Sequence, residues 1–167
     1  EEEGFLCDTS VRAGFDYRAD GGPDYRGHSL HPSWVGPRGS LLELPLTSAF
    51  SGPLRHLGPI IHRAQRHVPT FFSGFSRFRL LERIALTPEG VSAREAIKGI
   101  DMAIDDGLPV LVLSFHSPSL AVGHTPYVRD EAGLDRLYGW FDRVYDYLEM
   151  RGIEPTTVKD IIAATGR

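Results

Sequence analysis

A chain of 167 residues that is 41% hydrophobic and 24% charged lies in the size range of one globular domain. Its formal charge of -4, without a long run of either sign, offers no basic surface for nucleic acid or an anionic membrane. The lone cysteine, Cys7, excludes an internal disulfide and a cysteine-rich zinc site, which favours a reducing compartment, so we expect a cytoplasmic protein.

The N-terminal part predicts a helix end, a short strand and a long loop. The glutamates before Gly4 are typical of a last helical turn with its C-cap, so we expect further sequence before Glu1. Residues 5–9 are an apolar run closed by polar residues, which predicts a buried strand with Asp8 near its carboxyl end. Residues 11–40, rich in Gly, Pro and aromatic residues, predict a loop of the length that is usually functional or disordered.

The middle of the chain predicts two more strands and a helix. Residues 41–47 are apolar apart from Glu43 and predict a buried strand. A helical period between residues 53 and 67 predicts a helix. Residues 79–86 predict a strand that ends at the turn formed by residues 87–90.

The second half alternates amphipathic helices with apolar strands. Ser92 and Glu95 predict the capping box of a helix that Gly107 ends. Residues 109–115 form the clearest strand pattern in the sequence, apolar on both faces. Three further elements are predicted: a helix at residues 131–150, a short strand at residues 153–158 and a terminal helix at residues 158–164. This alternation predicts βα units, and therefore an α/β fold with a parallel sheet, either open or closed into a barrel.

His116 follows the strand predicted at residues 109–115 and is the strongest candidate for chemistry. In parallel α/β folds, functional side chains gather at the carboxyl ends of the strands. An imidazole can donate or accept a proton near neutral pH, and Pro118 stiffens the loop that follows. An equally good interpretation is a partly buried histidine that only bonds a neighbouring carbonyl.

Two carboxylates in the predicted strands need partners. Asp8 could orient His116, as a carboxylate does in catalytic triads. We slightly favour a structural role, in which Asp8 caps the turn that follows it. Glu43 lies in an apolar strand, where an unpaired carboxylate is costly, so we expect a salt bridge to an arginine such as Arg12 or Arg79.

The remaining histidines lack the spacing of a metal site. They are His28, His31, His56, His62, His67 and His124. No Gly-x-Ser-x-Gly elbow accompanies Ser114 or Ser117, and no glycine-rich phosphate-binding motif follows a strand. We therefore expect no metal site made by this chain alone, no serine nucleophile and no nucleotide cofactor.

Several aromatic residues stand beside charged ones, a mixture that is typical of sugar-binding clefts. Tyr25 and Trp34 lie in the long loop, and Tyr127 follows the segment after His116. With Ser117 they are the candidate substrate-binding residues. The aromatic residues could equally form a minor core within the loop.

Five stretches of the chain, at residues 4–11, 16–25, 42–45, 114–120 and 123–128, together resemble the later part of bacterial polysaccharide deacetylases of the WalW-like type. These enzymes are carbohydrate esterases of the NodB-homology group. The resemblance extends from Gly4 to about residue 157. It implies the C-terminal portion of a distorted (β/α) barrel, and a metal-dependent hydrolase that removes acetyl groups from N-acetylated sugars.

The resemblance also implies roles for individual residues. His116 matches the histidine that protonates the leaving amine as general acid, and Asp8 matches an aspartate in an earlier stretch of those enzymes. Such enzymes bind a divalent metal, which we expect to be zinc, through an aspartate pair and a His-x-x-x-His motif that are not found in this sequence. Because a metal-bound water is their nucleophile, we expect the chain to be inactive alone.

Two functions remain open. The first is part of a metal-dependent polysaccharide deacetylase, with a carbohydrate substrate and the missing N-terminal half of the barrel, or a self-associating copy, as partner. The exposed strand edges of a partial barrel favour such association. The second is a non-catalytic carbohydrate-binding or scaffold domain that uses the aromatic residues of the long loop. Neither involves nucleic acid or a membrane.

Overall fold

The computed structural model describes residues 4–58, 60 and 81–165, which form a mixed α/β fold, as expected. The strands are β1 (Cys7–Asp8), β2 (Ser33–Val35), β3 (Leu41–Glu43), β4 (Ser48–Ser51) and β5 (Glu82–Ala85). The helices are α1 (Ala93–Asp105), α2 (Glu131–Met150) and α3 (Val158–Ala164). Short 3-10 turns lie at Arg18–Asp20, Pro37–Gly39, Arg55–Leu57 and Ser117–Leu120.

The strands form a three-stranded and a two-stranded sheet within the described residues. In the first, β3 lies between β1, to which it is parallel, and β2, to which it is antiparallel. In the second, β4 and β5 are antiparallel. The prediction of a parallel sheet therefore holds only for the β1–β3 pair, and no closed barrel is seen in the described part of the chain.

The stretch predicted as one loop, residues 11–40, contains strand β2. This strand pairs Trp34 with Leu42 of β3, although no alternation of apolar residues marks it in the sequence. The strand predicted at residues 41–47 is shorter than expected, since β3 ends at Glu43 and Pro45, which has no N–H to donate, follows. Beyond β3 the backbone makes isolated hydrogen bonds, from Leu44 N–H to the Asp8 carbonyl and from Leu46 N–H to the Val11 carbonyl, each at 2.8 Å, and the next strand is β4.

The prediction of a strand at residues 109–115 was wrong. The segment runs beside Thr47 and Leu86 but makes isolated hydrogen bonds, from Thr47 N–H to the Val112 carbonyl at 3.0 Å and from Ser114 N–H to the Leu86 carbonyl at 3.1 Å. The N–H of Val112 donates to the Thr47 hydroxyl at 2.7 Å, where a ladder would need a backbone carbonyl. The short strand predicted at residues 153–158 is also not formed.

The helices match their predicted positions because their caps are local. At α1, Ser92 Oγ accepts from the N–H of Glu95 at 3.3 Å, and Glu95 Oε2 accepts from the N–H of Ser92 at 2.9 Å, which confirms the capping box. Asp130 caps α2 through the N–H of Gly133, and Thr157 caps α3. The helix predicted at residues 53–67 lies largely outside the described residues.

Helix α1 lies in the centre of the described fold, between the β4–β5 sheet and helix α2. Ile100 of α1 and Val144 of α2 have no exposed surface, and Gly99 allows Ile84 of β5 to approach the helix closely. The turn at Ser117–Leu120 packs on α2, so the same core supports the segment that carries His116. Among the described helices, none has the length and apolar composition needed to cross a membrane.

Candidate functional site

His116 and Glu89 form a hydrogen-bonded pair at the surface. Glu89 Oε2 lies 2.5 Å from Nδ1 of His116, and Glu89 Oε1 accepts from the N–H of His116 at 3.0 Å. The imidazole side chain is 71% exposed, whereas the Glu89 side chain is only 5% exposed. One buried carboxylate therefore holds both the ring and the backbone of an exposed histidine.

This contact decides which ring nitrogen of His116 can exchange protons. An ionised carboxylate only accepts hydrogen bonds, so Nδ1 must carry a proton to bond Glu89. The other ring nitrogen, Nε2, is then the one available to exchange a proton with a ligand. The carboxylate also fixes the orientation of the ring, as the acidic member of a catalytic triad does.

Glu89 is itself held by a buried hydroxyl. Ser119, which has no exposed surface, donates to Glu89 Oε1 at 2.6 Å, and its Oγ lies 3.1 Å from the hydroxyl of Thr125. Burial alone would raise the pKa of Glu89, but the hydrogen bonds from Ser119 and from His116 outweigh it and leave the pKa below its ordinary value. The carboxylate is therefore ionised at neutral pH.

The turn that carries Glu89 comes directly after β5. The N–H of Glu89 donates to the Thr87 hydroxyl at 3.2 Å, and Gly90 takes a φ of +80°, which favours glycine. The sequence predicts this turn but gives Glu89 no role. The sequence feature that could have identified Glu89 is its position beyond the carboxyl end of a predicted strand. The same criterion selected Asp8 and His116.

The two carboxylates of the predicted strands, Asp8 and Glu43, contact neither His116 nor Arg12. Asp8 accepts hydrogen bonds from the N–H and the hydroxyl of Ser10 at 2.8 and 3.1 Å. This is the turn-capping role that the sequence favours. The carboxylate bound to His116 is that of Glu89. Glu43 Oε1 lies 3.1 Å from His28 Nε2, although the two lack hydrogen-bond geometry. The expected salt bridge to Arg12 is replaced because the long loop folds over β3. Arg79 lies outside the described residues.

The four candidate substrate-binding residues separate into two groups. Ser117 is exposed and directly follows His116. Tyr127 is 50% exposed and lines a cavity near the turn that carries Glu89. In the other group, Tyr25 packs on Tyr17 and His28, with ring centroids 6.3 and 5.9 Å apart, and Trp34 lies half-buried in β2. Ser117 is therefore the chain neighbour of His116, and Tyr127 lies at the cavity beside the turn that carries Glu89, whereas the ring contacts of Tyr25 lie within the long loop.

The cavity that Tyr127 lines has a volume of about 320 Å³. Its wall includes Pro88 and Gly90, which flank Glu89, and Trp140, Arg136 and Arg143 of helix α2. The indole N–H of Trp140 donates to the carbonyl of Val91 at 3.0 Å and so ties the helix to the wall. The turn at residues 88–90 thus has the cavity on one side and contributes the carboxylate that holds His116.

The described residues do not fit the divalent metal that the family resemblance implies. Within residues 4–58, 60 and 81–165, no group of three or more His, Cys, Asp or Glu side chains is placed to hold an ion. The proton chemistry that these residues support rests on His116 and Glu89.

The arrangement can donate or accept a proton at Nε2 of His116. Pro88 and Gly90, on either side of Glu89, line the cavity, whereas His116 and Glu89 themselves do not. Chemistry of this kind occurs on many unrelated folds, so the reaction has to be argued from the site. No family model, no curated protein and no solved structure matches this chain.

Proposed function

We propose that His116 is the general acid of a hydrolytic site that removes acetyl groups from an N-acetylated carbohydrate, as in polysaccharide deacetylases. The observation that carries the proposal is the 2.5 Å contact between Glu89 Oε2 and Nδ1 of the exposed His116 ring. A buried carboxylate that fixes one ring nitrogen prepares the other to transfer a proton. The choice of substrate rests on the resemblance of residues 114–120 and 123–128 to those enzymes.

In the proposed reaction, a water adds to the carbonyl carbon of the acetamide and gives up a proton to solvent. His116 then delivers a proton from Nε2 to the amine nitrogen as the C–N bond of this tetrahedral adduct breaks, which releases acetate and the free amine. The ring becomes neutral and keeps the Nδ1 proton in its hydrogen bond to Glu89. A positioned acid of this kind contributes roughly 10²- to 10⁴-fold to a rate. Ser117 and Tyr127 are proposed to contact the sugar, because Ser117 follows His116 directly and Tyr127 stands at the cavity.

We further propose that the two sheets belong to a partial (β/α) barrel. The parallel β1–β3 pair supports this, as do Phe5 and Leu6, which lead into β1 and are 67% and 58% exposed. Apolar side chains at a strand with an open edge favour coverage by further chain or by a second copy.

A non-catalytic carbohydrate-binding domain is the alternative, and it has less support. The aromatic rings of the long loop would have to present their faces to a sugar. Instead Phe15 stacks on Tyr17 at 6.1 Å between centroids, and Tyr17 packs on Tyr25 at 6.3 Å. Rings that contact each other in this way favour the interpretation of a minor core within the loop.

The test is acetate release from N-acetylated chitooligosaccharides by the protein assembled with the metal-binding N-terminal half of the barrel that the proposal requires, with divalent metal added to every reaction. We expect His116→Ala to lower kcat at least about 100-fold, with folding unchanged. His124→Ala is the matched control, because this histidine is also exposed and follows His116 closely in the chain. Equal turnover of the His116 variant and the parent would remove His116 from the mechanism, and a parent that releases no acetate would remove the deacetylase proposal.

A further inference from the structure

Two arginines of the described fold share one aromatic ring. The guanidinium carbon of Arg83, in β5, lies 3.5 Å from the centroid of the Phe15 ring, and that of Arg12 lies 5.2 Å from it. Each contact is a favourable cation–π interaction, but the two cations repel each other. The arrangement therefore places two positive charges at one aromatic ring, where the long loop meets β5.

Neither arginine has a carboxylate partner among the described residues. Two acidic residues of the loop form ion pairs with other arginines, since Asp16 pairs with Arg18 and Asp24 pairs with Arg26, each at 2.9 Å. No Asp or Glu occurs between Glu43 and Glu82, so the undescribed residues in that interval have no carboxylate side chain to offer. In a chain with a net charge of -4, two cations with no carboxylate partner among the residues that the structure describes need an explanation.

Burial makes the missing partner costly for Arg83. Its Nε is buried and donates to no acceptor within the described residues. Burial first, and the charge of Arg12 in addition, lower the pKa of Arg83 to about 10. Proteins keep such unfavourable groups mainly where a ligand or a reaction uses them.

The backbone is shaped to hold this guanidinium. Gly14 takes a φ of +83°, and a Cβ at this position would lie 3.2 Å from a terminal nitrogen of Arg83. A glycine is therefore favoured both by the backbone conformation and by the space that the arginine occupies. The side chains of Arg12 and Phe15 are half-buried, so the cluster is reachable from solvent.

We propose that Arg12, Phe15 and Arg83 form a binding site for an oxyanion carried by a small ligand, either a carboxylate or a phosphate group. A guanidinium presents a planar fork of N–H donors that matches both groups in a bidentate manner. The oxyanion would supply the negative charge that this part of the fold lacks. The site involves none of the residues assigned to proton transfer, so it stands whether or not the protein is a deacetylase.

The experiment titrates the whole protein with inorganic phosphate at constant ionic strength and follows the arginine Nε–Hε signals by NMR. We expect a saturable shift of the Arg83 signal, which Arg83→Lys identifies by removing it. Arg12→Gln should weaken phosphate binding by about tenfold or more, because it deletes one charged hydrogen-bonding group. Arg94→Gln, which removes an equally cationic but exposed side chain from α1, should leave the affinity unchanged.

Titrations with further compounds distinguish a carboxylate ligand from a phosphate ligand. Acetate and galacturonate test a carboxylate, whereas glucose 6-phosphate tests a phosphate ester, and the tighter class identifies the ligand. Shifts that grow linearly without saturation for every probe would overturn the proposal. Equal affinity of the Arg12 and Arg94 variants would overturn it as well, and this comparison remains decisive if Arg83→Lys fails to fold.

Discussion

Glu89 Oε2 lies 2.5 Å from Nδ1 of His116, although the two residues are 27 positions apart in the chain. Glu89 comes from the turn after β5, and His116 comes from the end of the segment that runs beside Leu86. The carboxylate is buried and the ring is exposed, so Glu89 is the anchor of a side chain that solvent can reach.

Removing the charge of Glu89 tests this division. Glu89→Gln keeps the size of the side chain but replaces the carboxylate with a neutral amide, so the hydrogen bond that orients the ring through Nδ1 is weakened. We expect kcat for acetate release to fall by roughly 10²-fold with little change in KM, because the interaction matters most in the transition state. Glu154→Gln, at an exposed position, is the control, and a parent-like kcat for the Glu89 variant would contradict the role of positioning residue.

Ser119 should contribute to stability through Glu89. Ser119→Ala removes a fully buried donor at 2.6 Å from the carboxylate, so one lone pair of Glu89 loses its partner. We expect the free energy of unfolding to fall by about 2 kcal/mol, the cost of an unsatisfied buried group bonded to a charge. Urea denaturation measures this change. The exposed Ser117→Ala should change it by less than about 0.5 kcal/mol, and equal effects of the two variants would refute the prediction.

Two helical glycines offer a matched pair of substitutions. A methyl group added at Gly139 of α2 would have nothing within 4 Å, so Gly139→Ala should stabilise the protein by about 0.5–1 kcal/mol through helix propensity. At Gly99 of α1 a Cβ would lie 3.0 Å from Ile84 Cγ2. The steric overlap should cancel the gain in helix propensity, so Gly99→Ala should not stabilise the protein. Thermal unfolding distinguishes them. A larger stabilisation at Gly99 than at Gly139 would contradict the packing of α1 on β5.

The long loop should resist acid. Hydrogen bonds from the side chain and then the backbone of Arg18 lower the pKa of Asp16 to about 2. Because this pKa lies below its ordinary value of 3.8, the contribution of Asp16 to stability is complete above pH 3.8 and is lost as the pH falls through about 2. Carbon NMR of the carboxyl group measures the titration. Arg18→Gln should raise the midpoint, and an unchanged midpoint in that variant would show that Arg18 is not the cause.

Sequence patterns predicted the helices well because the forces that start and stop a helix act over a few residues. The capping box of Ser92 and Glu95, and the period of residues 131–150, are contained within the helices that they mark. Strands could not be predicted as well, since a strand exists only when a partner supplies its hydrogen bonds. The apolar segment at residues 109–115 has the composition of a strand, but one of its N–H groups is taken by the hydroxyl of Thr47.

For the candidate site, the amino-acid sequence by itself selected His116, because a histidine after an apolar run at a predicted strand end is visible in one segment. It could not select Glu89, whose carboxylate differs from the other acidic residues only in what it touches. Burial against Ser119 and contact with the imidazole decide that role, and both depend on how β5, α1 and the segment after residue 109 pack together. The same holds for Arg12 and Arg83, which come to the same aromatic ring only when the loop brings Phe15 against β5.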